Sequence, residues 1–464
     1  MGLVEDTGVS AELVEPRWLR CVWFVMLCCG TVCILSTAAR PRGLEERNGR
    51  GLFLLSMGQA ANRKSKWSHI THSREIKNMP DDKVVLLLTG DITLGGEFAQ
   101  FRDKKGLGWE HPFENVRPFF QDAHIKFGNL ECTLFQNATP RNDWFVYSPP
   151  DSVSALKYLG YNVLCLGNNH ITDSGDEGVS KTIEILDNKR IAYVGAGKNF
   201  GDVKQGVVIE QNGLKVIFFS YTFPEIYVNS VIAGPNSAGC ALCELKRIKA
   251  DIEKGRSISD IICISLHWGH QFCRYPSPKQ IALAREIVDA GANVIIGHHP
   301  HVIQGYERYK HGVIFYSLGN FFFPEYRLGS GILHRHPKEC NEFIIGRCEI
   351  NNGKVEDFEI IPGFRNENFQ LVVLDGKKRE KAIVKIDRLC AGMKRDNYDR
   401  FWDACRKEAQ AKEKNVQIKD TIRDVFERAR ELGIMGCIRK VSIARIKYII
   451  KLLFRLWKSS NLRS

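Results

Sequence analysis

The sequence lacks the features that would place it in several large classes of protein. Its 464 residues contain no internal repeat and no low-complexity tract, and 44% hydrophobic content argues against global disorder. No nucleic-acid-binding signature accompanies the formal net charge of +13, so charge alone does not indicate a nucleic-acid partner. The basic residues are concentrated near the C-terminus, which favours an anionic membrane surface, with an anionic substrate as the other candidate.

Regular cysteine spacing is also missing. Four of the fifteen cysteines lie in an N-terminal apolar stretch, and the others are odd in number and irregularly spaced. Cys240 and Cys243 form one CxxC pair with no second pair downstream, which gives little support for a zinc site. The pattern favours scattered buried thiols and leaves the redox compartment open.

The N-terminal stretch from Cys21 to Ala39 carries no charge. Its length is at the lower edge of the about 17–25 residues that cross a bilayer as a helix. We therefore predict a single-pass anchor in segment 1–42, with a cleaved secretory signal as the alternative because small residues end the stretch. Arginines after Ala39 argue for a cytosolic C-terminal side, whereas a sequon at Asn137 points outside, so the topology stays open. Residues 43–82 are polar and are predicted to be a linker.

Residues 83–362 alternate short apolar runs with helical patterns, which predicts one large α/β domain built as a mixed sandwich. Strands are expected over 84–89, 125–127, 162–166, 191–194, 207–210, 216–221, 261–266, 294–296, 313–316, 343–350 and 355–361, and helices over 178–188 and 281–290. The region 376–464 is basic and helical in character, with amphipathic helices predicted over 398–412, 418–432 and 443–457. The last of these could lie on an anionic membrane or pack against the domain.

One stretch concentrates side chains suited to metal chemistry. Three β-branched residues lead into Gly297, and three histidines follow around Pro300. Gly297 is expected to let the chain turn as it leaves the sheet, at the carboxyl end of a strand, where ligands collect in open α/β sheets. His299 and His301 make a reasonable metal-ligand pair, and a hydrogen-bonded loop is the alternative interpretation.

Other predicted strands end in polar residues beside glycine, as a close approach of the backbone at a strand end would require. These segments are Gly90-Asp91, Gly128 to Glu131, Gly167 to His170 with Asp173, His267 to His270, and Ser317 to Asn320. Carboxylate, amide and imidazole groups on separate strand ends could hold two metal ions roughly 3.5–4 Å apart. Such a pair polarises a phosphoryl or acyl oxygen and activates water near neutral pH.

In this order, the motifs GD, GNLE, GNNHITDSG, HWG, GHHPH and SLGNF resemble the CapA family. Those proteins are associated with bacterial poly-γ-glutamate capsule synthesis and belong to the metallo-dependent phosphatase (calcineurin-like) superfamily. The resemblance covers roughly residues 83–362. It implies a four-layer α/β/β/α metallophosphatase-like sandwich, to which the basic helical C-terminal region is added.

The resemblance also implies roles for particular residues. Two divalent metal ions (Mn, Fe, Zn or Mg) would be held by Asp91, Glu131, Asn169, His267, His299 and His301, with Glu131 as the bridging carboxylate. His170 would contact the substrate or assist the leaving group, and Asp173 would orient it. His298 could equally be a loop hydrogen-bonding residue, and His270 could line the pocket or be solvated.

Two motifs depart from the superfamily pattern, and one residue departs from the CapA pattern. Thr93 stands where phosphatases usually carry the histidine of an Asp-x-His motif, and Asn129 with Glu131 replaces a pair of aspartates. CapA proteins share both differences, which predict looser binding at one metal position. Gln271 stands where CapA proteins often have glutamate, and a neutral amide cannot act as a general base.

Two functions fit these expectations. The first is a membrane-anchored metal-dependent hydrolase acting on a phosphoester, amide or γ-glutamyl-type bond, with His170 protonating the leaving group. The second is a non-catalytic membrane module that binds an anionic polymer or assembles a synthesis or export complex. Partners would be that polymer or substrate and the membrane, reached through the N-terminal segment and possibly the basic C-terminal helix, with no nucleic acid.

Overall fold

The structure is a computed structural model that describes residues 83–135, 144–203, 206–223 and 232–440. The predicted anchor or signal in 1–42, the linker 43–82, the sequon at Asn137 and the helix predicted over 443–457 lie outside the described residues. Within the described ranges, none of the helices combines the length and the apolar character that crossing a bilayer needs.

Eighteen strands are described, and the sequence patterns located most of the long ones. They are β1 (Val84–Ile92), β2 (Ile125–Leu130), β3 (Val163–Cys165), β4 (Ala192–Val194), β5 (Ala196–Gly197), β6 (Val207–Gln211), β7 (Leu214–Thr222), β8 (Gly239–Cys240), β9 (Ile261–His267), β10 (Val294–His298), β11 (Tyr306–Tyr309), β12 (Gly312–Phe315), β13 (Asn320–Phe322), β14 (Tyr326–Arg327), β15 (Leu333–His334), β16 (Glu342–Asn351), β17 (Lys354–Arg365) and β18 (Leu371–Val373).

Eight α-helices accompany the strands within the described residues. They are α1 (Gly96–Lys105), α2 (Arg117–Gln121), α3 (Val153–Leu159), α4 (Gly175–Asn188), α5 (Leu245–Arg256), α6 (Pro278–Ala290), α7 (Gly376–Gly392) and α8 (Tyr398–Lys440). The sequence predicted two helices where α8 is continuous, and this prediction was wrong. Residues 413–417, between the two predicted helices, contain neither glycine nor proline, so nothing in them ends a helix.

Two sheets form the centre of the fold. The first has strand order β18-β17-β16-β1-β2-β3-β4, with β13 also paired to β1, and the second has order β11-β12-β10-β9-β7-β6. The strands β1 to β4 run parallel, as do β7, β9, β10 and β12, whereas hairpins add antiparallel strands at the edges. Helical crossovers between parallel strands explain why both sheets acquire helices on their outer faces.

The alternation of side chains along β1 shows how the layers stack. Leu86 and Leu88 pack between the two sheets in one buried cluster with Phe218 of β7. Val85 and Leu87 point to the opposite face and join the cluster that α1 to α4 cover. On the other side of the molecule, the outer face of the second sheet packs against α5, α6 and the start of α8. The predicted four-layer α/β/β/α sandwich is therefore confirmed.

This topology brings the carboxyl ends of strands from both sheets to one edge. Asp91 on β1 pairs in register with Asn129 on β2, and His267 on β9 pairs with His298 on β10. The loops that leave these strands begin at neighbouring points, so their polar residues meet.

Candidate metal centre

Five of the six predicted metal ligands converge at this edge. Their donor atoms form two groups, Glu131-His267-His299 and Asp91-Glu131-His301, and within each group the atoms lie within 4.8 Å of one another. All five side chains are buried, and Glu131 belongs to both groups. Two sets of donors that share one carboxylate are the arrangement a pair of bridged divalent cations requires.

The Glu131 carboxylate provides the test of whether a cation fits. Its Oε2 accepts a hydrogen bond from Asn129 Nδ2 at 3.2 Å. Its Oε1 is buried and has no hydrogen-bond partner among the described residues, yet it lies 3.6 Å from His267 Nε2 and 3.8 Å from His301 Nε2. A buried carboxylate oxygen without a donor is costly, and a cation held with the two imidazoles would satisfy it.

Asn169, the sixth predicted ligand, faces the same point. Its Oδ1 accepts a hydrogen bond of 2.7 Å from His267 Nε2. A cation bound by both atoms would need the lone pair of Nε2, so the ring hydrogen would have to move to Nδ1. The Nδ1 atom of His267 is buried and has no hydrogen-bond partner in the described part of the chain. The imidazole can therefore change tautomer without breaking another hydrogen bond.

Asp91 is held by donors on two sides. Asn129 Nδ2 donates to its Oδ1 at 2.8 Å, and the backbone N–H of His299 donates to its Oδ2 at 3.3 Å. His298 Nδ1 and His301 Nδ1 lie 3.2 and 3.4 Å from its oxygens. Burial opposes ionisation, but these imidazoles outweigh it and hold the pKa of Asp91 well below its ordinary value. Asp91 is thus a charged ligand at neutral pH.

The remaining ionisable ligands respond to burial. The pKa of Glu131 is raised well above its ordinary value, by burial first and then by the charge of Asp91. Burial also lowers the pKa values of His267 and His299 well below the ordinary value, and neighbouring imidazoles add to the effect. Both histidines are therefore neutral at pH 7, which is the form that binds a metal.

The loop after β10 is strained in a way that aims its histidines inward. His299 and His301 have φ angles of 93° and 57°, in a region that residues other than glycine rarely adopt. Such conformations persist where the surroundings over-determine them, and they cluster at functional sites. The N–H of Phe272 donates to the carbonyl of Pro300 at 2.8 Å, which pins the loop between the two histidines.

Two glycines allow the strand ends to approach each other. A Cβ on Gly90 would lie 1.8 Å from the carbonyl oxygen of Gly319, and one on Gly297 would lie 1.9 Å from that of Tyr316. The prediction that Gly297 turns the chain was wrong, since β10 continues through it to His298. The turn comes at His299, and Gly297 serves the close packing of neighbouring strands.

The predicted catalytic pair is in contact. His170 Nδ1 lies 2.7 Å from Asp173 Oδ2, and both side chains are buried. The same carboxylate oxygen accepts the backbone N–H of Val146 at 2.7 Å, so Asp173 is fixed in place. Asp173 thereby orients the His170 ring through Nδ1 and leaves Nε2 as the nitrogen that can face a substrate.

The departures from the superfamily pattern have visible consequences. Thr93 does not join the cluster, because its hydroxyl lies 3.1 Å from the Ser148 hydroxyl. Asn129 instead ties Asp91 to Glu131 by donating to both carboxylates. Its own Oδ1 accepts from Asn168 Nδ2 at 3.1 Å, so the amide is oriented.

Sequence reasoning assigned no role to several residues that the structure places at the site. Asn129 is one, and Asn320 is another. The Oδ1 atom of Asn320 accepts a hydrogen bond from His301 Nδ1 at 2.8 Å, which leaves the lone pair of His301 Nε2 facing Glu131.

His298 is not in either donor group, although it lies against Asp91. His334 and His336 also lie nearby, and their two-residue spacing was a signal that could have been noticed. His270, whose role was left open, lines a cleft with Trp402 of α8.

The CxxC pair plays no part in this centre. Cys240 and Cys243 are buried free thiols, and burial raises the pKa of each to about 12. Neither belongs to a candidate metal group among the residues that the structure describes. The expectation of scattered buried thiols is confirmed for eight described cysteines, whereas Cys390 and Cys405 are only partly buried.

The structure thus has the four-layer α/β/β/α sandwich with imidazoles and carboxylates gathered at its converging strand ends, as the motifs predict. Residues 85–325 match the model of the bacterial capsule synthesis protein family PGA_cap. The chain belongs to that family.

Two curated relatives are similar over the same region. The chain is 34% identical over 261 residues to the capsule biosynthesis protein CapA of Bacillus anthracis, which covers 54% of this chain and 62% of that protein. It is 30% identical over 263 residues to the PGA biosynthesis protein CapA of Bacillus subtilis (strain 168), which covers 56% of this chain and 68% of that protein. The chain thus spans less than two thirds of the length of the Bacillus anthracis protein.

Solved structures show a weaker similarity. A novel phosphatase from Mycoplasma pneumoniae aligns with a TM-score of 0.40 at 14% identity, covering 65% of this chain and 97% of that one. The calcineurin-like phosphoesterase YfkN from Bacillus subtilis aligns with a TM-score of 0.36 at 14% identity, covering 69% and 99%.

Proposed function

We propose that this chain is a membrane-anchored, metal-dependent hydrolase of the capsule-synthesis type, with a dinuclear site for divalent cations (Mn, Fe, Zn or Mg). One observation carries the proposal, namely that Glu131 is shared by two groups of buried donors and that its Oε1 has no hydrogen-bond partner in the part of the chain that the structure describes. The names of the Bacillus relatives, which refer to capsule and PGA biosynthesis, support a substrate with phosphoester, amide or γ-glutamyl-type bonds.

The chain's own residues have separable tasks in this proposal. Asp91, Glu131 and His301 would hold one cation, and Glu131, Asn169, His267 and His299 would hold the other. When bound, the pair would supply Lewis-acid polarisation of the scissile bond and activation of water. His170, fixed through Nδ1 by Asp173, would offer Nε2 to the leaving group as a proton donor. Asn129 would keep the two carboxylates at a constant separation through its paired hydrogen bonds.

Metal analysis combined with hydrolysis assays tests the enzyme. Full-length protein reconstituted with Mn²⁺ should hold metal in stoichiometric amount and hydrolyse model phosphodiesters or γ-glutamyl anilides. His299→Ala should lose both properties, because it removes a donor from one group. His311→Ala is the matched control, since His311 is exposed on the turn between β11 and β12. Metal-free wild-type protein after reconstitution would contradict the proposal.

The second candidate is a non-catalytic membrane module that binds an anionic polymer. The position of Thr93 favours it, because the hydroxyl is engaged by Ser148 and one donor group is left with only three side chains. The net charge of +13 also suits an acidic polymer. Binding of poly-γ-glutamate that is equal in wild type and His299→Ala, without hydrolysis by either, would support the module over the enzyme.

The membrane location rests on the uncharged stretch from Cys21 to Ala39. Deletion of this stretch should move the expressed protein from the membrane fraction to the soluble fraction. Substitution of the basic residues in 443–457 by glutamine, in the same deletion background, tests whether the C-terminal segment contributes. If the deletion variant stays in the membrane fraction and leaves it only when the basic residues of 443–457 are substituted, the anchor is the C-terminal segment.

A further inference from the structure

A second imidazole group lies beside the candidate metal centre, in a part of the chain beyond the residues that the family model matches. The ring of His336 is centred 5.5 Å from that of His301 and 5.1 Å from Phe323, and Phe272 lies on another side at 6.3 Å. Aromatic neighbours keep water away, so a hydrogen bond made here is stronger than one in solvent.

The His336 ring has an unused polar atom in this setting. Its Nδ1 is buried and makes no hydrogen bond to the described residues. Buried polar atoms of native proteins are nearly always paired with protein, water or ligand. An imidazole adjacent to His301 with such an atom is therefore suited to receive a group that enters the centre.

The segment that carries His336 is tied to the C-terminal helix α8. Asp420 of α8 is 4% exposed and accepts the backbone N–H of Arg335 at 2.8 Å. Its carboxylate also lies 3.6 Å from His334 Nδ1, and His334 contacts His336 with ring centroids 5.1 Å apart. A buried carboxylate with these contacts fixes the residues on both sides of Arg335.

We propose that His336 is a substrate-contacting residue that donates a hydrogen bond to an anionic oxygen beside His301, and that Asp420 positions it. The inference rests on the proposed function, because the anion would belong to the substrate that is hydrolysed at the metal centre. It assigns α8 a task in the site, although this helix lies outside the matched family region. The substrate class it specifies carries an oxyanion, phosphate or carboxylate, next to the scissile bond.

Oxyanion binding tests the role of His336 without relying on turnover. Mn²⁺-reconstituted full-length protein is titrated with tungstate by calorimetry, and its metal content is measured in parallel. His336→Ala should bind tungstate about 10- to 100-fold more weakly, the loss expected for one hydrogen bond to a charged group. His336→Gln, which keeps an N–H donor, should recover part of the affinity, and His311→Ala should match the wild type.

The outcomes separate this inference from the proposed function. Wild-type protein that takes up no metal refutes the proposed function. Wild-type protein that holds metal but binds tungstate as tightly as His336→Ala, or not at all, overturns the inference alone. A tungstate affinity of His336→Gln equal to that of His336→Ala, with metal retained in both, would also overturn the donor role.

A double-mutant cycle tests the positioning role of Asp420. Asp420→Asn should weaken tungstate binding about 10-fold while metal content stays the same, because an amide oxygen accepts the backbone N–H of Arg335 more weakly than a carboxylate does. In the His336→Ala background the same substitution should have no further effect. Glu408→Gln, an exposed carboxylate of α8, is the control. Additive effects of the two substitutions would show that Asp420 acts independently of His336 and would refute the positioning role.

Discussion

Replacing Glu131 by glutamine should stabilise the metal-free protein and remove most of the stabilisation that metal gives the wild type. In the metal-free protein the Glu131 carboxylate is buried against the charge of Asp91, and its Oε1 has no partner within the described ranges. Glutamine can accept from Asn129 as Oε2 does and can donate towards His301 Nε2, which lies 3.8 Å from the present Oε1. The free energy of unfolding should therefore rise by ~1–3 kcal/mol in EDTA. The melting temperature should rise by about 2–4 °C for each kcal/mol.

With metal present, the variant should lose about 2.3 kcal/mol relative to the wild type, an amount similar to its gain in EDTA. At a metal concentration 100-fold above the dissociation constant, binding stabilises the wild-type fold by about 2.7 kcal/mol. Loss of Glu131, which both donor groups share, should weaken metal binding by at least about 100-fold. That factor is the upper end of the range for losing a residue that only hydrogen-bonds to a metal ligand. The stabilisation of Glu131→Gln would then fall to about 0.4 kcal/mol at the same concentration. Thermal melts in EDTA and in Mn²⁺, with metal content measured for each sample, supply both numbers.

Two results would refute this reasoning. A Glu131→Gln protein that gains as much stability from Mn²⁺ as the wild type would show that Glu131 is not a shared ligand. A variant less stable than wild type in EDTA would show that the carboxylate is satisfied in the metal-free fold. Glu367→Gln is the control, since Glu367 is exposed on the turn between β17 and β18 and belongs to neither donor group.

Further predictions concern packing, the departure at Thr93 and acid stability. Gly297→Ala should destabilise the fold by ~1–3 kcal/mol in urea titrations, because the new Cβ would lie 1.9 Å from the carbonyl oxygen of Tyr316. An unchanged midpoint of urea unfolding would contradict this. Thr93→Val should leave the metal content unchanged and lower the free energy of unfolding by ~1 kcal/mol, because the contact with Ser148 is lost. A loss of metal would instead show that Thr93 is a ligand. Burial first, and then His301, lowers the pKa of His334 from 6.5 to about 4, so the unfolded chain binds more protons between these values. Stability in EDTA should therefore fall as the pH drops from 6.5 to 4, by about 3 kcal/mol for this group, and His334→Asn should flatten that slope in urea titrations.

The repeated pattern of an apolar run, a glycine and a polar residue located most of the site in advance. It works because a buried strand needs continuous apolar residues, while the close approach of strand ends needs glycine, as at Gly90. The position of Asp91 opposite Asn129 then follows from strand pairing alone. Such local rules predicted five residues that the fold brings together.

Contacts made by segments distant in sequence could not be predicted in this way. Asn320 and His336 reach His301 through tertiary packing, and Asp420 is 85 residues away from the Arg335 amide that it binds. The length of α8 also escaped prediction, because a five-residue interval of average helix formers carries no signal to stop or to continue. It packs against β15 and α6, contacts that no periodic pattern of the helix itself predicts.

The unequal donor sets have a consequence for how the proposed centre would fill. Glu131, Asn169, His267 and His299 offer four side chains to one cation, whereas Asp91, Glu131 and His301 offer three to the other. Thr93, which would have supplied the missing donor as a histidine, has its hydroxyl turned to Ser148. Because each further ligand replaces a water molecule of the cation, the four-ligand position should fill first. A cation held by Asp91, Glu131 and His301 would then be the more exchangeable one, and His336 contacts this donor group through the ring of His301.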